Sequence, residues 1–361
     1  MTKKNSTNTR SRDLLKKLTL AHGAPGFEGP VAQVIEHELK SFGTISRDRL
    51  GSILVEKTGK SGGPRIMLAA HMDEVAFMVK AIPESGLIKF VPLGGWWPHV
   101  LPSQRVSILT PKGEVPGVIG AAPPHHLSPA DREKVMAIKS MVIDIGATSA
   151  KEARAMGVEL GQAIVPAVTF QEMANPEIIS SKAFDDRVGC ALMIEVMHRL
   201  GKNHPNVVIG AGTAQEEVGV RGAKTAVTLA NPDVAIVLEG PPADDLPGAA
   251  DFVQCGMGKG PQIRAYDPTM VTNPRLVDLF RTRAEALKLP FQMAVRDSGG
   301  TDASVIHVYS RGVPSMVIGV PVRYAHSHLG LMHLQDFENT VKLVIDVIQH
   351  LDAKTVQALH G

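Results

Sequence analysis

Arg65-Ile-Met-Leu-Ala-Ala-His71 decides the fold. Its apolar core is too short for an ordinary helix and reads as a strand buried on both faces, running straight into a histidine. The same design recurs three times. Residues 206–212 form an apolar run that leads to Glu216 and Glu217; residues 234–238 form one closed by Glu239; residues 315–320 form one followed by His326. Helical patterns precede and follow the runs. Val31, Val34, Ile35 and Leu39 recur at helical spacing over residues 30–42, with Pro30 suited to the first turn. Val341, Val344, Ile345 and Ile348 share one face of a last helix over residues 336–351. Buried strands alternating with amphipathic helices specify an α/β sheet. At the N-terminus, residues 1–12 read as a basic, frayed tail, and Ser11 as the cap of a helix that ends near His22, before Gly23, Pro25 and Gly26.

The middle of the chain has another texture. Over residues 74–168 the apolar runs are short and alternating (87–92, 105–109, 115–119) and are broken by Gly94-Gly95 and Pro123-Pro124. This pattern predicts a small β-domain, residues 75–168, inserted into an α/β domain made of residues 1–74 and 169–361.

Composition narrows the function. A chain of 361 residues, 44% hydrophobic and 20% charged, can bury a large core and suits about two domains. A net charge of +2 gives no field for nucleic acid or a membrane surface, and 4% aromatics leave little for stacking bases. No apolar run approaches the roughly 18 residues of a membrane span. With only Cys190 and Cys255, a disulfide framework is excluded and a cytoplasmic location with free thiols is expected.

Each strand therefore leads into a residue that can bind metal: His71, Glu217, Glu239 and His326. Ligands of open α/β sheets gather beyond the carboxyl ends of the strands, so the four can converge. Asp185, in Phe184-Asp-Asp-Arg-Val-Gly189 at the start of a helix, is a fifth candidate. Two histidines and three carboxylates suit two divalent ions, one Asp bridging and each ion taking one His and one further carboxylate. Such a pair activates a water and polarises a carbonyl; Glu216, next to a proposed ligand, can accept the water's proton.

These residues also carry a resemblance. Ala70-His-Met-Asp-Glu-Val75, Phe184-Asp-Asp-Arg-Val-Gly189, Gln215-Glu-Glu-Val-Gly219, Gly299-Gly-Thr-Asp302 and Arg323-Tyr-Ala-His-Ser327 resemble, in order, the signatures of the M42 metallo-aminopeptidases, which include glutamyl and tetrahedral aminopeptidases. In the inserted region Gly94-Gly-Trp96, Gln104-Arg-Val106 and Asp144-Ile-Gly-Ala-Thr148 fit too. The resemblance implies a mixed-sheet, zinc-peptidase-like catalytic domain with a small β-barrel-like insertion used for oligomerisation. It implies an enzyme that releases N-terminal amino acids from peptides with two metal ions, zinc or cobalt, with manganese as a further option. His71 and Glu239 would hold one ion, Glu217 and His326 the other, with Asp185 bridging through a residue joined to Asp186 by a cis bond. Glu216 would be the general base, and Asp73 and Asp186 would orient ligands from behind. The family further implies a homo-oligomer, a dodecamer built from dimers; Trp96 and Trp97, both of the chain's tryptophans, fall in the region it uses for assembly.

Some positions allow two readings. Thr301 or Asp302 suits a helix cap, and the resemblance places that loop beside the substrate's N-terminal end. His328 shares a side with His326 in an extended segment and suits a pocket or hydrogen-bonding role. Many relatives carry Asp where this chain has Glu239. Asp244, Asp245 and Asp251 could line a pocket for a basic side chain, although such runs are more often solvated loops. His125 and His126 are expected to be exposed. Rival activities are a deacylase of N-acylated amino acids or peptides, an endoglucanase-type glycoside hydrolase, and a non-catalytic assembly protein.

Overall fold

In the computed structural model, which describes residues 2–249 and 251–360, the four apolar runs form the centre of one sheet. Strands Val207–Thr213, Arg65–His71, Val234–Glu239 and Ser315–Gly319 lie side by side and parallel. Antiparallel pairing then adds Ile53–Thr58 and Thr44–Arg47 at one edge, and Gln262–Asp267 with Met270–Val271 at the other; Gln292–Val295 joins the latter edge in parallel.

The pleat sends alternate side chains to opposite faces. Ile66, Leu68 and Ala70 enter one core and Met67 and Ala69 the other. Helices Thr2–Leu20, Gly29–Leu39, Phe184–Arg199, Pro274–Ala286 and Leu334–His350 cover the first face through Leu15, Ile35, Val188, Phe280 and Val344. Helices Arg221–Ala230 and Ala303–Ile306 cover the second through Ala223, Ala226 and Ile306. Phe184–Arg199 is buried nearly all round, because it lies between the sheet and other helices.

The N-terminus departs from the sequence reading. The first helix starts at Thr2, so the frayed tail expected over residues 1–12 is helical from residue 2; Met1 lies outside the described residues. Ser11 sits within that helix rather than at a cap: its buried hydroxyl donates to Glu338 Oε1 at 2.8 Å and accepts from Arg199 at 2.9 Å. Docking of Leu14, Leu15 and Leu18 anchors the helix, and turns propagate more easily from a docked segment than they nucleate. At the other end a short helix, Ala353–Ala358, follows the last predicted one; Asp352 caps it by accepting the Thr355 N–H at 2.7 Å.

A six-stranded antiparallel sheet falls within the middle region, in the order Lys89–Leu93, Ala76–Ala81, Ala163–Pro166, Arg105–Thr110, Gly113–Gly120, Val142–Asp144. Ile88 and Ile143 exchange backbone hydrogen bonds at 2.9 and 2.8 Å, which brings its ends together as a barrel. Phe77, Phe90, Val106, Ile108 and Ile119 fill the interior. The two tryptophans split: Trp96 is half-buried against this core, while Trp97 is 61% exposed.

A third sheet has no counterpart in the sequence reading. It pairs Gln171–Glu172, Ile178–Ser181, Gly330–His333 and Val322–Arg323, all antiparallel. Its last two strands make a hairpin whose tip, residues 324–329, carries His326 and His328. No helix among the described residues is long and apolar enough to cross a membrane.

Candidate active site

The register of the central strands sets the site. Thr213 pairs with His71, and Glu239 with Gly319, so these strands end at one level. The chain then turns into Glu216-Glu217 after one strand and toward His326 after another. Asp185 and Asp186 reach the same crevice from the start of Phe184–Arg199; both have non-helical dihedrals, and the peptide bond between them is cis, as the resemblance implies.

Asp185 lies between the two histidines. Its Oδ1 is 3.1 Å from His71 Nε2 and its Oδ2 is 3.4 Å from His326 Nε2, which is also 3.7 Å from Glu217 Oε1. Ligand atoms of His71, Asp185 and Glu217 lie within 4.8 Å of one another, as do those of His71, Asp186 and Glu239. Asp186, however, already accepts the His71 N–H at 3.0 Å and the Gly189 N–H at 3.0 Å. A Cβ on Gly189 would sit 2.4 Å from both that carboxylate and the Leu238 carbonyl, so only glycine lets the helix start here. Asp73 plays a related part. Its Oδ1 is 3.4 Å from His71 Nδ1, and its two oxygens accept the N–H groups of Glu216 and Glu217 at 2.9 and 3.0 Å.

Burial and mutual charge set the proton affinities of the cluster. Burial, reinforced by Asp185, pushes Glu217 up to about 7; burial and neighbouring carboxylates push Glu239 up to about 8. Glu216 is raised well above the usual carboxylate range by burial, with Asp302, Glu239 and Glu217 adding to it. Asp185 goes the other way: burial opposes its charge, but His326 and His71 outweigh burial and hold it low. Burial also opposes charging His326, yet Asp185 and Glu217 carry it up to about 10. Glu217 Oε1 is buried with no hydrogen-bond partner. Crowded carboxylates with an orphaned oxygen and two imidazoles are a donor set that fits divalent cations.

The remaining predicted residues are placed as follows. Asp302 stands before the short helix Ala303–Ile306, but its side chain does not cap it; Thr213 Oγ1 is hydrogen-bonded to its Oδ2 at 2.5 Å and its Oδ1 is buried without a partner. Thr301 Oγ1 accepts the Ala303 N–H at 3.3 Å, the capping contact. His328 is only 2% exposed and lies against Trp96. Asp244 accepts the Cys255 N–H at 2.9 Å, and Asp245 grips Arg323 at 2.9 and 2.7 Å, so both tie loops together; Asp251 is exposed, and Ala250 lies outside the described residues. Both cysteines are free and buried, and His125 and His126 are exposed.

Two supports escaped the sequence reading. Glu28 Oε1 accepts the N–H groups of Gly26 and Gln215 at 2.7 and 3.0 Å, bracing the turn before Glu216. Lys182 and Arg187 both pair with buried Glu74, and Arg187 also donates to the Met72 carbonyl at 2.8 Å. Part of the signal was present: Glu74 and Arg187 lie inside the motifs that carry His71 and Asp185, whereas Glu28 and Lys182 lie outside them.

Comparison with known proteins gives the family and the overall fold. Residues 51–343 match the family model described as M42 glutamyl aminopeptidase. The chain belongs to the M42 family. The glutamyl aminopeptidase of Lactococcus lactis is 36% identical to it over 349 residues, covering 95% of this chain and 97% of the relative. A TET aminopeptidase from the marine sediment archaeon Thaumarchaeota archaeon SCGC AB-539-E09 matches with a TM-score of 0.94 and 42% identity, covering 97% and 99% of the two chains. The TET1 peptidase of Pyrococcus horikoshii, solved as a dodecamer, matches with a TM-score of 0.82 and 32% identity over 94% and 99%. This M42 chain is thus an aminopeptidase, a hydrolase of peptide bonds.

Proposed function

We propose that this aminopeptidase works with two divalent metal ions, held by His71 and Glu239 on one side and Glu217 and His326 on the other, with Asp185 bridging. The observation that carries the reading is Asp185 itself, whose two oxygens each face a different histidine Nε2. Zinc and cobalt suit two imidazoles with three carboxylates, and manganese is a weaker third. When bound, the ions supply Lewis-acid polarisation of the scissile carbonyl and make the attacking water more acidic.

The chain's own groups do the rest. Glu216 Oε2 stands 4.0 Å from His71 Nε2, and we assign it the role of base rather than ligand. Its raised proton affinity suits a base that takes a proton from water and returns it to the leaving amine. Asp73 and Asp186 hold the ligands in place through His71 and the backbone N–H groups. Thr301 and Asp302 belong to the end of the crevice that receives the substrate's N-terminus, supported by the unpaired Oδ1 of Asp302.

The barrel, residues 75–168, is assigned to assembly with other copies of this chain, with residues 1–74 and 169–361 as the catalytic part. Exposed Trp97 and the dodecameric TET1 relative support a twelve-subunit shell built from dimers. A cytoplasmic location goes with the two free thiols.

A panel of aminoacyl chromogenic substrates, with free and N-acylated termini, assayed with zinc, cobalt and manganese tests the reading. Turnover confined to free N-termini and abolished by a chelator is expected. Preference for acylated substrates would make the protein a deacylase instead, and chelator-resistant activity would refute the metal mechanism.

A further inference from the structure

We propose that the barrel loop Gly94-Gly95-Trp96, locked by His328, positions the Glu217/His326 half of the metal site, so that this half alone depends on the barrel for its affinity. The inference rests on the two-metal reading above.

The two halves are built differently. His71 is the last residue of a central strand, 2% exposed, with Asp73 behind its Nδ1. His326 stands at the tip of a hairpin, its side chain 39% exposed, with a left-handed φ of 59°. Its support comes from the barrel: Nδ1–H donates to the Gly95 carbonyl at 2.7 Å, across 231 residues of sequence. That bond commits one proton to Nδ1, so Nε2, which faces Asp185 and Glu217, is the nitrogen that would serve a metal ion once its own proton leaves. Such partners behind a ligating imidazole set its tautomer and orientation.

The same loop touches the other ligand of this half. Gly94 has φ +86°, and a Cβ there would stand 3.2 Å from Glu217 Cβ, 3.2 Å from Glu217 Oε2 and 2.9 Å from Val75 Cγ1. Glycine is required for both the conformation and the approach.

Trp96 keeps the loop in place. Its ring stacks on Phe77 at 4.5 Å, its Nε1 donates to the Ala76 carbonyl at 3.0 Å, and it faces the His328 ring at 5.4 Å. His328 is buried and packs between the hairpin tip and the barrel through that ring contact. Because His328 follows His326 by two residues, the Trp96 contact and the Gly95 hydrogen bond grip one hairpin tip at two neighbouring points. Gly94, Gly95, Trp96 and His328 are therefore positioning residues, acting through His326 and Glu217.

Zinc titration of the metal-stripped full chain, read by equilibrium dialysis and elemental analysis, tests this. Gly94→Ala and Trp96→Phe are compared with wild type and with Val118→Thr, a substitution on the barrel's outer surface. Wild type and Val118→Thr should bind two zinc ions. Both loop variants should bind the first ion with unchanged affinity and the second about 10–100-fold more weakly, the usual loss when a ligand's supporting partner is disturbed. Circular dichroism identifies any variant that fails to fold, and Trp96→Phe, the milder change, then decides alone. Equal weakening of both ions, or of neither, overturns the proposal. Wild type binding fewer than two ions refutes the two-metal reading and this inference with it, and shows before any variant is examined.

Discussion

Asp73 accepts the backbone N–H of Glu216 at 2.9 Å, so the carboxylate that stands behind His71 also fixes the turn bearing the neighbouring glutamates. Those glutamates should separate on mutation. Glu216→Gln keeps the shape and removes the proton acceptor; metal content should stay near wild type while kcat falls by about 10²–10⁴. Glu217→Gln should lose metal affinity first and activity with it. Metal analysis beside steady-state kinetics decides: loss of metal in Glu216→Gln with retention in Glu217→Gln would reverse the roles.

Chelation should cost stability as well as activity. A ligand that binds only the folded state contributes about 2.7 kcal/mol at a hundred times its Kd. Treatment with EDTA should therefore lower the thermal midpoint, and zinc or cobalt added in excess should restore it. A midpoint indifferent to both would mean that the carboxylate cluster is tolerated without cations.

Asp245 predicts a pH signature away from the metal ligands. The Arg323 guanidinium holds its carboxyl below the usual range, and both side chains are partly solvated. A depressed folded-state pKa gives stability that is present above the unfolded value, about 3.9, and is lost as pH falls through the folded value. Asp245→Asn should thus destabilise by roughly 0.2–1 kcal/mol at pH 7 and progressively less below about pH 4. Urea midpoints of both proteins at pH 7 and pH 3 measure it; a constant difference would remove the ion pair as its cause.

Assembly is tested by size. Light scattering at micromolar protein should report a mass several times that of one chain, with twelve copies expected. A stable monomer would remove barrel-mediated assembly.

The central strands and their candidate ligands were legible because both signals are local. A short apolar run such as Arg65–His71 has few fates other than a buried strand, and each such run led to a residue able to bind metal. The chemistry of the cluster followed from residue type alone.

What the sequence could not show depends on pairing between distant segments. The strands Gln171–Glu172 and Val322–Arg323 are too short to carry a period, so the sheet that aims His326 was invisible. Ser11 looked like a cap because the preference for Ser at helix starts is local, while its actual partners, Glu338 and Arg199, are far along the chain. By itself the sequence determined the α/β class, the order of the four central strands along the chain and the identities of the candidate ligands. Only the tertiary structure decided that Gly95 of the barrel holds His326 and that Asp185 stands between two histidines. A hydrogen bond across 231 residues exists only once packing has brought both partners together, and no local preference encodes it.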